Sequence, residues 1–124
     1  MMQKKKSFCF PKKLKLKNKK SFQKVYQMGT AYIDRFAIIN IMAIPDQQLK
    51  IGFAVGKKLG NAVVRNHTKR LMREAVRHTQ YNIKLGYHIV VVARKPLLNS
   101  SLNVYYESLY RLIKKAGLLQ VDTI

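Results

Sequence analysis

Gly52-Phe53-Ala54-Val55-Gly56-Lys57-Lys58-Leu59-Gly60-Asn61-Ala62-Val63-Val64-Arg65-Asn66-His67-Thr68-Lys69-Arg70-Leu71-Met72-Arg73-Glu74 passes from a strand through a loop into a helix. The residues from Lys50 to Val55 read as a strand. Gly56 and Gly60 bracket a loop that carries Lys57 and Lys58. Asn61 is suited to cap the helix that follows, which runs to about Thr79. On a wheel of about 100° per residue, Val64, Thr68, Leu71, Met72, Ala75 and Thr79 form an inward stripe. Arg65, Asn66, Lys69, Arg70, Arg73 and Arg77 project the other way. Five cations thus share one helix surface, with only Glu74 to oppose them. Arg65, Lys69, Arg73 and Arg77 follow one another at i, i+4 spacing, a like-charge row that costs an isolated helix a few tenths of a kcal/mol per pair. A solvated structural face would alternate its signs, so this row points to an anionic partner.

Similar punctuation divides the rest of the chain. A helix is expected from about Lys19 to Met28, with Asn18 as N-cap, Gly29 as stop, and Phe22, Val25 and Tyr26 on one face. Phe36 to Ala43 reads as a strand before the turn at Pro45-Asp46, and a short strand is expected near Ala31 to Ile33. After Gly86, the apolar run His88 to Ala93 suits a buried central strand, ended by Pro96. Ser100 or Ser101 caps a last helix whose apolar residues include Leu102, Tyr105, Leu109, Leu112, Ile113 and Ala116, and Gly117 stops it. The fold class is α+β: one mixed sheet of about four strands packed with three helices, in the order αβββαβα. Residues 1–15 read as a basic, mobile tail, residues 16–117 as the domain, and residues 118–124 as a C-terminal tail.

The chain has 124 residues, 48% of them hydrophobic, enough for one domain with one core. Lys plus Arg number 25 against five acids, a formal charge of +20. Such an excess repels itself unless a polyanion neutralises it, and counterion release makes nucleic acid the favoured partner. An anionic membrane is the rival, but no apolar stretch approaches the roughly 20 residues needed to span one. The basic N-terminus lacks an apolar signal segment, so a cytoplasmic location is expected. Cys9 has no Cys or His partner at metal spacing and is read as incidental.

The residue types suit binding better than catalysis. Arginine can hold a phosphate through two parallel hydrogen bonds, and lysine supplies a point charge. Asn66 can reach a base edge or a 2′-hydroxyl. Lys57 and Lys58 can join the backbone N–H groups at the helix start in holding a phosphate. The acids Asp34, Asp46, Glu74, Glu107 and Asp122 are scattered, so a two-metal nuclease centre is not expected. Glu74 is instead expected to brace the helix through Arg70 and Arg77 or His78. His67 and His78 would stand about 16 Å apart along a helix, too far for joint attack on one phosphate. His88, at a strand start, reads as structural. No catalytic residue and no metal ligand is assigned.

The opening stretch resembles the signature of the bacterial ribonuclease P protein subunit. Leu16-Lys17, Ser21-Phe22-Gln23-Lys24-Val25-Tyr26 with Gly29, Ile89-Val90-Val91-Val92-Ala93-Arg94-Lys95-Pro96 and Leu112-Ile113-Lys114-Lys115-Ala116 are similar to other parts of that family. The resemblance spans roughly residues 14–117. It implies a protein cofactor of a catalytic RNA that removes the 5′ leader of precursor tRNA by hydrolysing one phosphodiester. It implies that magnesium serves the RNA-containing holoenzyme and that the protein alone binds no cofactor. No membrane contact and no obligate protein partner are expected. The resemblance also implies a left-handed βαβ crossover, where general rules would give a right-handed one. Carried over by position, Lys57, Lys58, Asn61, Arg65, Asn66, His67, Lys69, Arg70 and Arg73 contact the catalytic RNA, and Phe22, Tyr26 and Asn40 line the leader cleft between the first helix and the sheet. His67 stands where the family has Arg, Gly56 where it usually has Ser, and Asn40 where many members have an aromatic. A ribosomal or chromosomal architectural protein, using the same charges without catalysis, is the alternative.

Overall fold

A computed structural model describes residues 12–79 and 82–120. Helix α1 spans Lys19–Met28, followed by strands β1 Thr30–Ile33, β2 Ala37–Ala43 and β3 Leu49–Ala54. Helix α2, Ala62–Thr79, leads into β4, Tyr87–Ala93, and α3, Leu102–Lys115, completes the expected αβββαβα order. The four strands form one sheet in the order β1-β2-β4-β3. β4 pairs antiparallel with β2 and parallel with β3, so the chain crosses over from β3 to β4 through α2. The central place of β4 explains its unbroken Ile-Val-Val-Val run, since both its faces are covered.

One face of the sheet carries Ile39, Ile41, Ile51, Phe53, Ile89 and Val91 into the main core. There they meet Met72, Ala75 and Val76 of α2 and Leu109, Leu112 and Ile113 of α3. The opposite face holds a smaller cluster of Leu16, Val25 and Val90 beneath α1. Asn18 caps α1, its Oδ1 accepting from the Ser21 N–H at 3.2 Å. The helix then crosses the strands. Phe22 lies over Gly52, where a Cβ would overlap its ring, and at the far end a Cβ on Gly29 would lie 2.5 Å from the Ile41 carbonyl oxygen. Glycine therefore sets how closely α1 approaches the sheet at both ends.

Asp34 ties the β1–β2 turn to the last helix. Its Oδ1 accepts the N–H groups of Phe36 and Ala37 at 2.8 and 2.9 Å. Its Oδ2 accepts the Ser108 hydroxyl at 2.8 Å and the Arg111 guanidinium at 3.1 Å. Burial alone would raise the Asp34 pKa. The hydrogen bonds from Ala37, Ser108, Phe36 and Arg111 outweigh it and hold the carboxyl below its ordinary value.

The folded unit extends past both boundaries read from the sequence. Most of the expected tail, residues 1–11, lies outside the described residues. Lys12–Leu14, however, forms a 3-10 turn whose Leu14 is buried in the main core. The next residues add to the β3 edge, where the Leu16 N–H donates to the Ile51 carbonyl at 3.0 Å. At the other end Leu118 is buried and Leu119 bridges to Ile83, so residues 118–120 belong to the domain and are not a tail. Single leucines in polar surroundings carry no periodicity, which is why the sequence pattern misses them.

Candidate nucleic-acid interface

Helix α2 starts clear of the core. Ala62, Val63 and Val64 are exposed, and Thr68 is its first buried residue. Val64, expected on the inward stripe, lies outside the core over Gly60. Val76 is buried in its stead. The stripe therefore begins a turn later than the wheel suggests. Asn61 caps the helix: its Oδ1 accepts the Val64 N–H at 3.0 Å. That bond commits the Asn61 oxygen and leaves its amide N–H groups for other partners.

The protruding turns present the expected binding residues together. Lys57 and Lys58 are exposed on a 3-10 turn just before the helix. Asn66, His67, Arg70 and Arg73 are exposed, and Arg65 and Lys69 are half-buried at their flank. The Arg65 Nε donates to the Gly60 carbonyl at 3.2 Å, which draws this side chain back toward the loop. The Arg73 guanidinium lies 6.0 Å above the Phe53 ring. None of these cations takes an ion pair among the described residues.

The second half of α2 is different. Glu74 Oε2 accepts from Arg77 Nη2 at 2.7 Å and lies 3.1 Å from His78 Nε2. The Arg77 hydrogen bond is the main reason that the Glu74 carboxyl is held below its ordinary pKa, with His78 adding to it against a smaller effect of burial. Glu74 thus braces the helix through Arg77 and His78, and Arg70, also named as a brace from the sequence, is not bound by it.

On the other face of the sheet, Phe22 and Tyr26 stand on one flank of α1. Phe22 is half-buried against Gly52, and Tyr26 is 44% exposed. Burial raises the Tyr26 pKa, so its hydroxyl keeps its proton at neutral pH. Asn40 is half-buried in β2, between Ala31 and Val90 in register. The strand row beyond it is Ala54, Val92, Ile38 and Ile33, and Ile33 is 50% exposed. The result is a groove with an apolar floor and an aromatic wall.

The two surfaces meet at the β3 edge, a junction that sequence spacing does not signal. A cleft of about 260 Å³ is lined there by Lys15, Lys17 and Asn18 before α1, by Phe22, and by Arg73 of α2. Arg73 faces both the basic helix and the groove, and Lys15 and Lys17 extend the positive surface between them. Such an arrangement can carry a phosphate chain while offering ring faces to its bases. The described residues contain no group of three or more His, Cys, Asp or Glu placed to hold a metal ion. None of their helices is long and apolar enough to cross a membrane.

Known proteins share this fold. The family model described as Ribonuclease P matches residues 10–117. The ribonuclease P protein component of Symbiobacterium thermophilum is 40% identical over 113 residues, which cover 88% of this chain and 96% of that protein. That of Oceanobacillus iheyensis is 36% identical over 110 residues, covering 88% and 91%. The solved RNase P protein of Staphylococcus aureus superposes with a TM-score of 0.77 at 30% identity, over 86% of this chain and 97% of that one. The Thermotoga maritima RNase P protein gives 0.75 at 26%, over 82% and 96%. This chain therefore belongs to the ribonuclease P protein family.

Proposed function

We propose that this protein is the RNA-binding subunit of a ribonuclease P whose catalytic centre lies in a partner RNA. It holds that RNA through the outer face of α2 and receives the 5′ leader of precursor tRNA in the groove beside α1. The observation that carries this reading is the set of cations from Lys57 to Arg73, which face away from the core and take no ion pair among the described residues. Arg65, Lys69 and Arg70 neutralise phosphates, and Asn66 and His67 add hydrogen-bonding groups beside them. Phe22 and Tyr26 offer ring faces to leader bases, and Asn40 offers its amide to a base edge. The cleft with Lys15, Lys17 and Arg73 links the two paths, so one protein can bind catalyst and substrate at once. In this reading the magnesium ions of the reaction serve the RNA-containing holoenzyme. Acting on precursor tRNA together with a catalytic RNA, it would work in the cytoplasm.

Reconstitution tests the reading. The protein is mixed with the catalytic RNA from the same cells and with precursor tRNA at low magnesium. Leader cleavage should depend on the protein and yield the mature tRNA 5′ end. Tight binding to ribosomal RNA, with no stimulation of leader cleavage, would replace this reading with that of an architectural protein.

A further inference from the structure

Helix α1 has two flanks, and only one borders the aromatic groove. Val25 points into the sheet and is fully buried. A turn of about 100° per residue then places Phe22 and Tyr26 on one flank and Ser21, Lys24 and Met28 on the other. The strands beneath divide in the same way. Lys50, His88 and Met42 are register neighbours across β3, β4 and β2. They share a sheet face with Gly52, Val90 and Asn40, the row that α1 covers, and lie two residues along from it. The charge of Lys24 bears on the His88 imidazole, which sets the second flank over this row. Basic side chains from α1, β3 and β4 thus converge. Lys24 is exposed, while Lys50 and His88 are half-buried.

Among the described residues neither lysine takes an ion pair. Asp46, in the turn between β2 and β3, is the acid that bears on His88, and its effect is smaller than that of either lysine. Like charges brought together in this way weaken the fold unless an anion joins them. We propose that Lys24, Lys50 and His88 form a second RNA-phosphate site, on the flank of α1 opposite Phe22 and Tyr26 and apart from the α2 face. The proposal rests on the RNA-binding reading above and adds a contact to it. The ligand is a phosphodiester of an RNA strand, supplied by the precursor tRNA or by the catalytic RNA.

Burial and then the charges of Lys50 and Lys24 hold the imidazole below its ordinary pKa, so free His88 is neutral at pH 7. A bound phosphate offsets both lysines and favours the imidazolium. Binding therefore takes up a proton, and affinity rises as pH falls, levelling off once free His88 is itself protonated.

The test uses holoenzyme assembled from the full chain, the catalytic RNA and precursor tRNAs of short and long leader. Lys24→Gln and Lys50→Gln should each lower the log–log salt slope of binding, and together by about 0.7 to 0.9, the share of one phosphate. Each should weaken binding about two- to fivefold, the scale of one exposed ionic contact. A loss confined to long-leader precursors assigns the phosphate to the substrate, and a loss in assembly with the catalytic RNA assigns it to that RNA. Both support the site. Titration of the His88 ring by NMR, with and without RNA, needs no variant and should show its pKa rising on binding. Unchanged slopes in both arms and an unmoved His88 titration, in a wild-type protein that binds RNA, overturn the second site alone. A wild-type protein that binds neither RNA overturns the RNA-binding reading itself.

Discussion

The two halves of α2 are built from the same side chains and use them differently. From Arg65 to Arg73 the cations face outward with no acid among them. From Glu74 to His78 one carboxylate takes both neighbouring basic groups. The division is set by the acid and not by burial, since Thr68 and Met72 bury the inner side of the first half as Ala75 and Val76 do that of the second. Charge count therefore does not measure binding capacity. A cation is available to RNA only where the fold has given it no acid, and Asp34 and Glu74 are engaged in organising structure.

Removing Arg65 and Arg70 together tests this division most severely. Each loses a charge-assisted contact worth about 1.5 kcal/mol, so the pair should weaken binding to the catalytic RNA by roughly a hundredfold. The log–log salt slope should fall by about 1.4 to 1.8. Arg77→Ala, in the paired half, should leave the slope where it was. Titrations of the three proteins against labelled catalytic RNA over a range of salt decide it. Equal slopes for Arg77→Ala and the double variant would erase the distinction between the halves.

Asp34 extends the same contrast to a second acid. It engages Arg111 and Ser108, and its backbone carbonyl accepts from Arg94 at 2.7 Å. Asp34→Ala should cost about 2 to 3 kcal/mol of folding stability, because the N–H groups of Phe36 and Ala37 lose their acceptor. Its RNA salt slope should not move. A carboxyl whose pKa is lower folded than unfolded stabilises the fold above the unfolded value, and that contribution disappears as pH falls through the folded one. Wild-type stability should therefore drop below about pH 4, and this drop should shrink in Asp34→Ala. Urea melts from pH 3 to 7 measure both effects; parallel curves for the two proteins would remove Asp34 from its role as the tie between turn and helix.

Tyr26 lies outside the contrast of charges and sharpens it by depending on none. Tyr26→Ala should weaken precursor tRNA binding by about tenfold, the scale of one lost base stack. Mature tRNA should bind as before, and the salt slope should hold. An equal loss for both tRNAs would take Tyr26 off the leader path.

Much of this could be read from the chain. The caps at Asn18 and Asn61, the strand runs and the outward row on α2 are local patterns, and local patterns survive into the fold. What escaped depends on distance. Asp34 and Ser108 lie 74 residues apart, so their bond has no trace in spacing. The cleft between Lys15, Lys17 and Arg73 exists because α1 and α2 meet at one sheet edge from opposite faces. Val64 falls on the inward side of the wheel, but a wheel does not show which turns of a helix the core covers. Glu74 had candidate partners on both sides, and only side-chain geometry chose Arg77 and His78 over Arg70.

That choice leads to the smallest effect and the closest test of the division. Glu74→Gln removes the acid that separates the two halves and releases Arg77 and His78. If the boundary is set by this one carboxylate, the cationic face lengthens and RNA binding tightens by about two- to threefold, the scale of one surface ion pair. The salt slope should steepen as Arg77 becomes available to phosphate. Stability should fall by no more than about 1 kcal/mol, since the pair is partly exposed. Weaker binding in Glu74→Gln would mean that the carboxylate aims Arg77 at the RNA. The paired half of α2 would then belong to the interface, and the Glu74 carboxylate would no longer mark its limit.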